Sequence, residues 1–277
     1  MVLCGFPAGA DAITATQTFP VYDSLHPNVS FWKKIYTHYS TTQGVIHDKQ
    51  NLRIIYDVIE LQDLNRHGSR KINQIRIKKA KKKYKMILAK LAQGKFPEEP
   101  EEKRVADLFG TKAQRSDFRS AMENLRCQVG QKDRFRQGII RSGSYLAQIK
   151  QIFRDAGLPL ELSYLPHVES SFKPKAYSKF GAAGIWQFTR STGKRFMTVS
   201  YTVDERLDPI LSSYAAAQLL KQNFTELQNW RWPLRLTTTA SPECCGQRGA
   251  KATMKRYSKD IAAALLNLHP ETFTLNF

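Results

Sequence analysis

The chain has 277 residues, 42% of them hydrophobic and 11% aromatic, which excludes a disordered polymer and allows one or two domains with a buried core. Its formal net charge of +19 favours polyanionic partners: nucleic acid, anionic lipid headgroups or acidic envelope polymers. No run approaches the about 18 apolar residues of a membrane-crossing helix.

In chain order, residues 1–30 carry turn formers and little periodicity and are expected to be irregular. Their start, MVLCGFPAGADA, has a short apolar stretch and a small-x-small ending but no charged leader, and reads as the stub of a secretory signal. Cys4, with three residues before it, is a poor lipidation site. Together with Cys127, Cys244 and Cys245 it forms no metal-ligand spacing, and cysteine usage leaves the compartment open. Phe31 to Tyr39 predicts a short helix with an aromatic face, while helix and strand compete over Asn51 to Leu61. Ile72 to Ala92 is an amphipathic helix closed by Gly94 and Pro97. It lies within a span, Arg66 to Lys95, holding twelve Lys or Arg and no acid. The plain reading is a solvated basic face with Ile75, Ile87, Leu88 and Leu91 beneath it; polyanion binding is the other.

FPEEPEEKR is a polar break. Helices are expected over Arg115 to Arg126 and Tyr145 to Ala156, the latter capped by a left-handed Gly157, with Pro159 opening the next. A further helix runs from Asp208, its N-cap, through Leu220. Strand-like alternation is scarce, so the fold class is mainly α. The expected division is 1–30 irregular, 31–130 a basic helical region, 131–230 the chemistry-bearing domain, and 231–277 an anomalous tail.

The chemistry centres on LPLELSYLPHVESSFKPKAYSKFGAAGIWQF. A helix beginning near Pro159 would end at Glu169, with Glu161 two turns earlier on the same face unless Pro166 kinks the helix. A carboxyl among Tyr164, Val168, Phe172 and Trp186 would be partly desolvated, which raises its pKa and suits general-acid work.

This run, with STGKRF, DERLDP and YAAAQLLKQNF following in order, resembles the lytic transglycosylase family, in its membrane-bound murein transglycosylase D-like branch. Two family signatures are present over about Leu158 to Trp230: Glu169-Ser170 and Gly184-Ile185-Trp186-Gln187. The resemblance implies a lysozyme-like α-helical catalytic domain cleaving the bond between N-acetylmuramic acid and N-acetylglucosamine. Glu169 would act as acid, then base, closing a 1,6-anhydro ring. Ser170 and Gln187 would bind sugar, with Phe188 beside them. Peptidoglycan strands are the implied partner, the periplasm or cell envelope the implied location, and no metal or organic cofactor is indicated. An anionic envelope surface is a further candidate partner, through Arg66 to Lys95.

The third family signature, Ala-Tyr-Asn, is missing where it is expected; NWRWPLRLTTTASPECC stands there instead. One inserted C after the first four bases of a permitted coding string from Trp230 gives Trp-Pro-Leu-Ala-Leu-Thr-Ala-Tyr-Asn-His-Gly. Some of this is forced by the genetic code. In that frame, Leu236 through Thr239 yield three codons ending in AC, and the Cys244-Cys245 pair yields Leu. Residues 231–277 therefore read as an out-of-frame tail, and little or no activity is expected of the chain without its Tyr. Competing readings are a lysozyme-type hydrolase, with Asp204, Glu205 or Asp208 as second carboxylate, and a non-catalytic peptidoglycan-binding protein. Specific nucleic-acid binding is weakest, for want of a recognised motif.

Overall fold

The computed structural model describes residue 23 and residues 26–227; the expected signal stub, most of the irregular start and the anomalous tail lie outside the described residues. Helix α1 (His26–Thr37) begins within the stretch expected to be irregular. Its sequence places Phe31, Trp32, Ile35 and Tyr36 one and four residues apart, so one face is aromatic and buried.

Three antiparallel strands follow the order β2-β1-β3, with β1 (Gln43–Asp48) between β2 (Ile55–Glu60) and β3 (Leu125–Val129). The competition over Asn51 to Leu61 thus resolves to a strand. Strand β1 pairs Val45 with Val58 on one side and with Gln128 on the other. It is buried on successive residues from Gly44 to Asp48, which is why no alternation marked it. Gly44 sits in tight packing: an added Cβ would lie 3.0 Å from Cys127 Sγ and 3.1 Å from Leu61 Cδ1, so those side chains would have to shift.

Helix α2 (Ser69–Ala92) buries Ala80, Tyr84, Leu88 and Leu91 against β1, β2, α3 (Pro100–Asp107) and α4 (Arg115–Asn124). Ile75, expected on the inner face, is 59% exposed; the buried face is set by Asn73, Ala80, Tyr84 and Leu88 instead. The helix expected to run through Arg126 stops at Asn124, where the chain enters β3.

The second half is helical. Helices α5 (Lys132–Ser142) and α6 (Leu146–Asp155) precede a broken segment with the single turns α7 (Pro166–Glu169) and α8 (Arg190–Gly193), and α9 (Leu211–Leu227) closes the core. The end of α6 is as expected: Gly157 has φ 69°, and the Leu158 N–H donates to the Phe153 carbonyl at 2.9 Å. Asp208 caps α9 by accepting from the N–H groups of Ile210 and Leu211 at 2.8 and 2.9 Å. Ile149, Phe153, Leu162, Phe172, Ile185, Trp186 and Leu220 form the core, each at most 3% exposed.

Candidate active site

The continuous helix expected from Pro159 to Glu169 is broken. A 3-10 turn (Leu160–Tyr164) is followed by the single turn α7 (Pro166–Glu169). Pro166 supplies no N–H and its ring crowds the carbonyl four residues back, so the ladder restarts there. The break removes the continuous helical face that was expected to carry both Glu161 and Glu169. Past Glu169 the chain reverses through Ser171 and Phe172 at φ 53° and 51°, both left-handed although neither is glycine. Gln187 is the third such residue among those described, at φ 51°. Ser171 and Phe172 follow directly on the Glu169-Ser170 motif and Gln187 ends the second, so among the described residues backbone strain is concentrated at this site.

Several bonds hold that strain. The Ser170 hydroxyl donates to the Ile185 carbonyl at 2.9 Å, with the Pro166 carbonyl 3.3 Å away. This ties the end of α7 to the Gly184–Gln187 segment. Arg141 of α5 donates to the Ser171 carbonyl at 3.0 Å. Gln187 Nε2 turns inward to the Gly184 carbonyl at 2.9 Å and the Ala176 carbonyl at 3.4 Å. Trp186 stacks on Phe153 at 5.5 Å, and its indole N–H reaches Ser213 Oγ of α9 at 2.8 Å. The Phe188 side chain is 4% exposed and belongs to the core, while its backbone pairs with Ala183. Ser170 and Gln187 thus direct their donors at the protein's own backbone, and Phe188 faces inward.

Gly184 has a specific reason to be glycine. Its φ is 79°, and a Cβ there would overlap the Arg206 carbonyl oxygen. Arg206 is 3% exposed and forms a paired contact with Asp204, Nε to Oδ1 at 2.8 Å and Nη2 to Oδ2 at 2.7 Å. Its remaining nitrogen donates to the Gly181 and Phe188 carbonyls at 2.9 and 3.1 Å. One buried guanidinium therefore braces the loop that carries the motif.

Glu169 is half-buried, and no hydrogen bond from a described residue reaches its carboxyl. Desolvation alone pushes its pKa from 4.5 up to about 8. The three other carboxylates considered for the site are committed elsewhere. Asp204 is paired with Arg206, Glu205 accepts from the Thr198 N–H at 2.6 Å, and Asp208 caps α9. Among the described residues no group of His, Cys, Asp or Glu has the arrangement to hold a metal ion.

The sequence reading missed the wall around Glu169. Val168 packs on the cluster formed by Phe31, Trp32, Ile35, Tyr36 and Phe135. Tyr36 packs on Phe135 at 5.5 Å and Phe135 on His167 at 5.4 Å. Burial, and secondarily the charge of Glu169, hold the Tyr36 phenol well above its usual range. His167 is 6% exposed and boxed by Phe135, Tyr164 and Phe172; its Nδ1 has no hydrogen-bond partner among the described residues. Burial lowers its pKa to about 4, so the ring is neutral at neutral pH. The aromatic face of α1 was visible in sequence; its destination, more than a hundred residues away, was not.

A family model described as Transglycosylase SLT domain matches residues 148–262, a span that begins in α6 and continues past Trp230. Membrane-bound lytic murein transglycosylase D of Escherichia coli K12 is 33% identical over 105 residues, 38% of this chain and 23% of the relative. The protein of that name from Escherichia coli O6:H1 (strain CFT073) matches with the same identity and coverage. The chain thus spans less than a quarter of the length of these curated relatives.

Proposed function

We propose that the chain, whose residues 148–262 match the Transglycosylase SLT domain, acts as a lytic transglycosylase in which Glu169 cleaves the β-1,4 bond between N-acetylmuramic acid and N-acetylglucosamine in peptidoglycan. The observation that carries this reading is the desolvated Glu169 carboxyl, while Asp204, Glu205 and Asp208 are each committed to a structural bond. A carboxyl with pKa about 8 is protonated at neutral pH and has a proton to give. It donates to the glycosidic oxygen as the C1–O bond breaks. The resulting carboxylate takes the proton of the muramoyl 6-hydroxyl while that oxygen bonds to C1. The carboxyl is regenerated, and the products are a free 4-hydroxyl and a 1,6-anhydro end. A hydrolase of the two-carboxylate kind needs a second free acid across the sugar, and the ties of Asp204, Glu205 and Asp208 speak against that alternative.

In this reading Ser170 and Gln187 position the loop and keep acceptor oxygens, the serine Oγ and the amide Oε1, for sugar hydroxyls. Phe188 supports them from the core. The cell envelope, where the polymer lies, is the corresponding location, and the basic span Arg66 to Lys95 corresponds to an anionic surface there.

The experiment is digestion of purified glycan strands with mass analysis of the new ends. Anhydro ends, one water lighter than reducing ends, support the proposal, and Glu169→Gln should lower the rate about a thousandfold or more. Reducing ends would overturn it in favour of the hydrolase. The chain as it stands should turn over slowly, because the Ala-Tyr-Asn segment is absent. Resequencing the gene across the codons for Asn229 to Cys245 tests the frame. With one base restored, the enzyme should gain activity; with the string unchanged, the altered tail is genuine.

A further inference from the structure

The outward face of α2 combines charge and apolar surface in a way that a merely solvated helix does not. Ile75 is 59% exposed at the centre of that face. Lys71, Ile72, Lys78, Lys79, Lys82 and Met86 lie three, four, seven or eleven residues from it, the spacings that return to one side of a helix. Ile72 is 37% and Met86 64% exposed, and the four lysines are exposed too. The opposite side, with Asn73, Ala80, Tyr84, Leu88 and Leu91, is already packed on the sheet and on α4. The helix therefore has no need of these outer apolar residues for its own fold.

The ion pairs divide the lysines further. Lys83, Lys85 and Lys90, on the flanks and towards the C-terminal end, reach Glu101, Glu123, and Glu98 with Glu102 respectively. Lys71, Lys78, Lys79 and Lys82, on the outer face, have no carboxylate partner among the described residues. Four unneutralised ammonium groups thus surround three solvent-facing apolar side chains.

We infer that this face of α2 docks on the surface of an anionic lipid bilayer, the lysines against headgroup phosphates and Ile72, Ile75 and Met86 in the upper acyl boundary. Charge alone fits any polyanion, but a nucleic acid or an acidic glycopolymer offers nothing for Ile75 or Met86 to enter. A bilayer offers both layers at the right depth for a helix lying in the interface plane. The charged outer face of α2 suits it to the surface, and no helix among the described residues is long and apolar enough to cross a membrane. The inference rests on the helix face and not on the reading of Glu169; its test involves no turnover.

The test is flotation of the full chain with vesicles of phosphatidylcholine carrying a minority of phosphatidylglycerol, against pure phosphatidylcholine. Binding to the anionic vesicles alone is expected. The triple variant K78E/K79E/K82E should bind at least about a hundredfold more weakly, at about 1 kcal/mol per charge near the surface. The variant I75S/M86S should bind about tenfold more weakly while keeping the parent's affinity for a DNA duplex. All five side chains are exposed, and far-UV circular dichroism checks that each variant remains helical. Equal binding to neutral and anionic vesicles overturns the inference, as does absence of binding to either. An I75S/M86S variant that floats like the parent also overturns it, leaving a face that binds any polyanion by charge.

Discussion

At the scale of single residues, the site is governed by two ionisable groups of opposite kind, the half-buried Glu169 and the buried His167. Glu169 is held neutral by desolvation, with its pKa moved from 4.5 to about 8. The pH dependence of kcat/KM should therefore fall above about pH 8, as the acid is lost; a limb near 4.5 would mean a solvated carboxyl. The stability sign follows from the same shift. The unfolded carboxyl ionises near 4.5 and the folded one near 8, so the native state loses stability between those values as pH rises. Full conversion corresponds to a ceiling of roughly 5 kcal/mol. Partial exposure and relaxation reduce the expected gain of Glu169→Gln to about 2 kcal/mol at pH 9 relative to pH 5, measurable by urea unfolding at both. His167 acts in the other direction. Its pKa is depressed from 6.5 to about 4, so the unfolded state takes up the proton first and stability is lost as pH falls through that range. About 2 kcal/mol should disappear between pH 7 and pH 5, and His167→Phe should remove most of that dependence. An unchanged slope would show that the imidazole is reached by water.

At the scale of elements, the motifs are turn devices before they are chemical ones. Gly184→Ala places a methyl on the Arg206 carbonyl and forces a left-handed backbone on alanine. It should cost about 4 kcal/mol or more, read as a lowered melting temperature, and Ile185→Val in the same segment about 1 kcal/mol. What was legible in sequence follows the locality of the physics. The caps at Gly157 and Asp208 depend on neighbouring residues and appear where the pattern put them. Strand β1 did not announce itself, because a central strand buried on both sides has no polar alternate. Ile75 was placed inward by its spacing, yet the sheet selects a different face. The break at Pro166 was visible as a possibility, but which residues left-handed turns would occupy was not, since Ser171, Phe172 and Gln187 carry no local signal for it. Glu169 was found through its motif, and its desolvation was expected from its apolar sequence neighbours; the approach of Tyr36 from α1 was not.

At the scale of the whole molecule, the N-terminal region contributes to the site. Helix α1 reaches Glu169 through Tyr36, Phe135 and Val168, and α5 lies between them: a Cβ at Gly138 would be 3.2 Å from Ser171 Cα and 3.3 Å from His167 Nδ1. Tyr36→Ala should admit water beside the carboxyl, move the alkaline limb of kcat/KM towards acid by about one pH unit, and lower kcat more than it changes KM. A variant with the parent's pH profile would show that Tyr36 only fills space.

The packing of α5 has one more consequence. The segment recognised by sequence comparison begins at residue 148, whereas Tyr36, whose phenol feels the charge of Glu169, stands on α1. Similarity and folding thus draw different borders around the same carboxyl. A gene fusion or exchange cut at residue 148 would carry Glu169 without Tyr36 and Phe135, so a portable form of this segment should begin at α1.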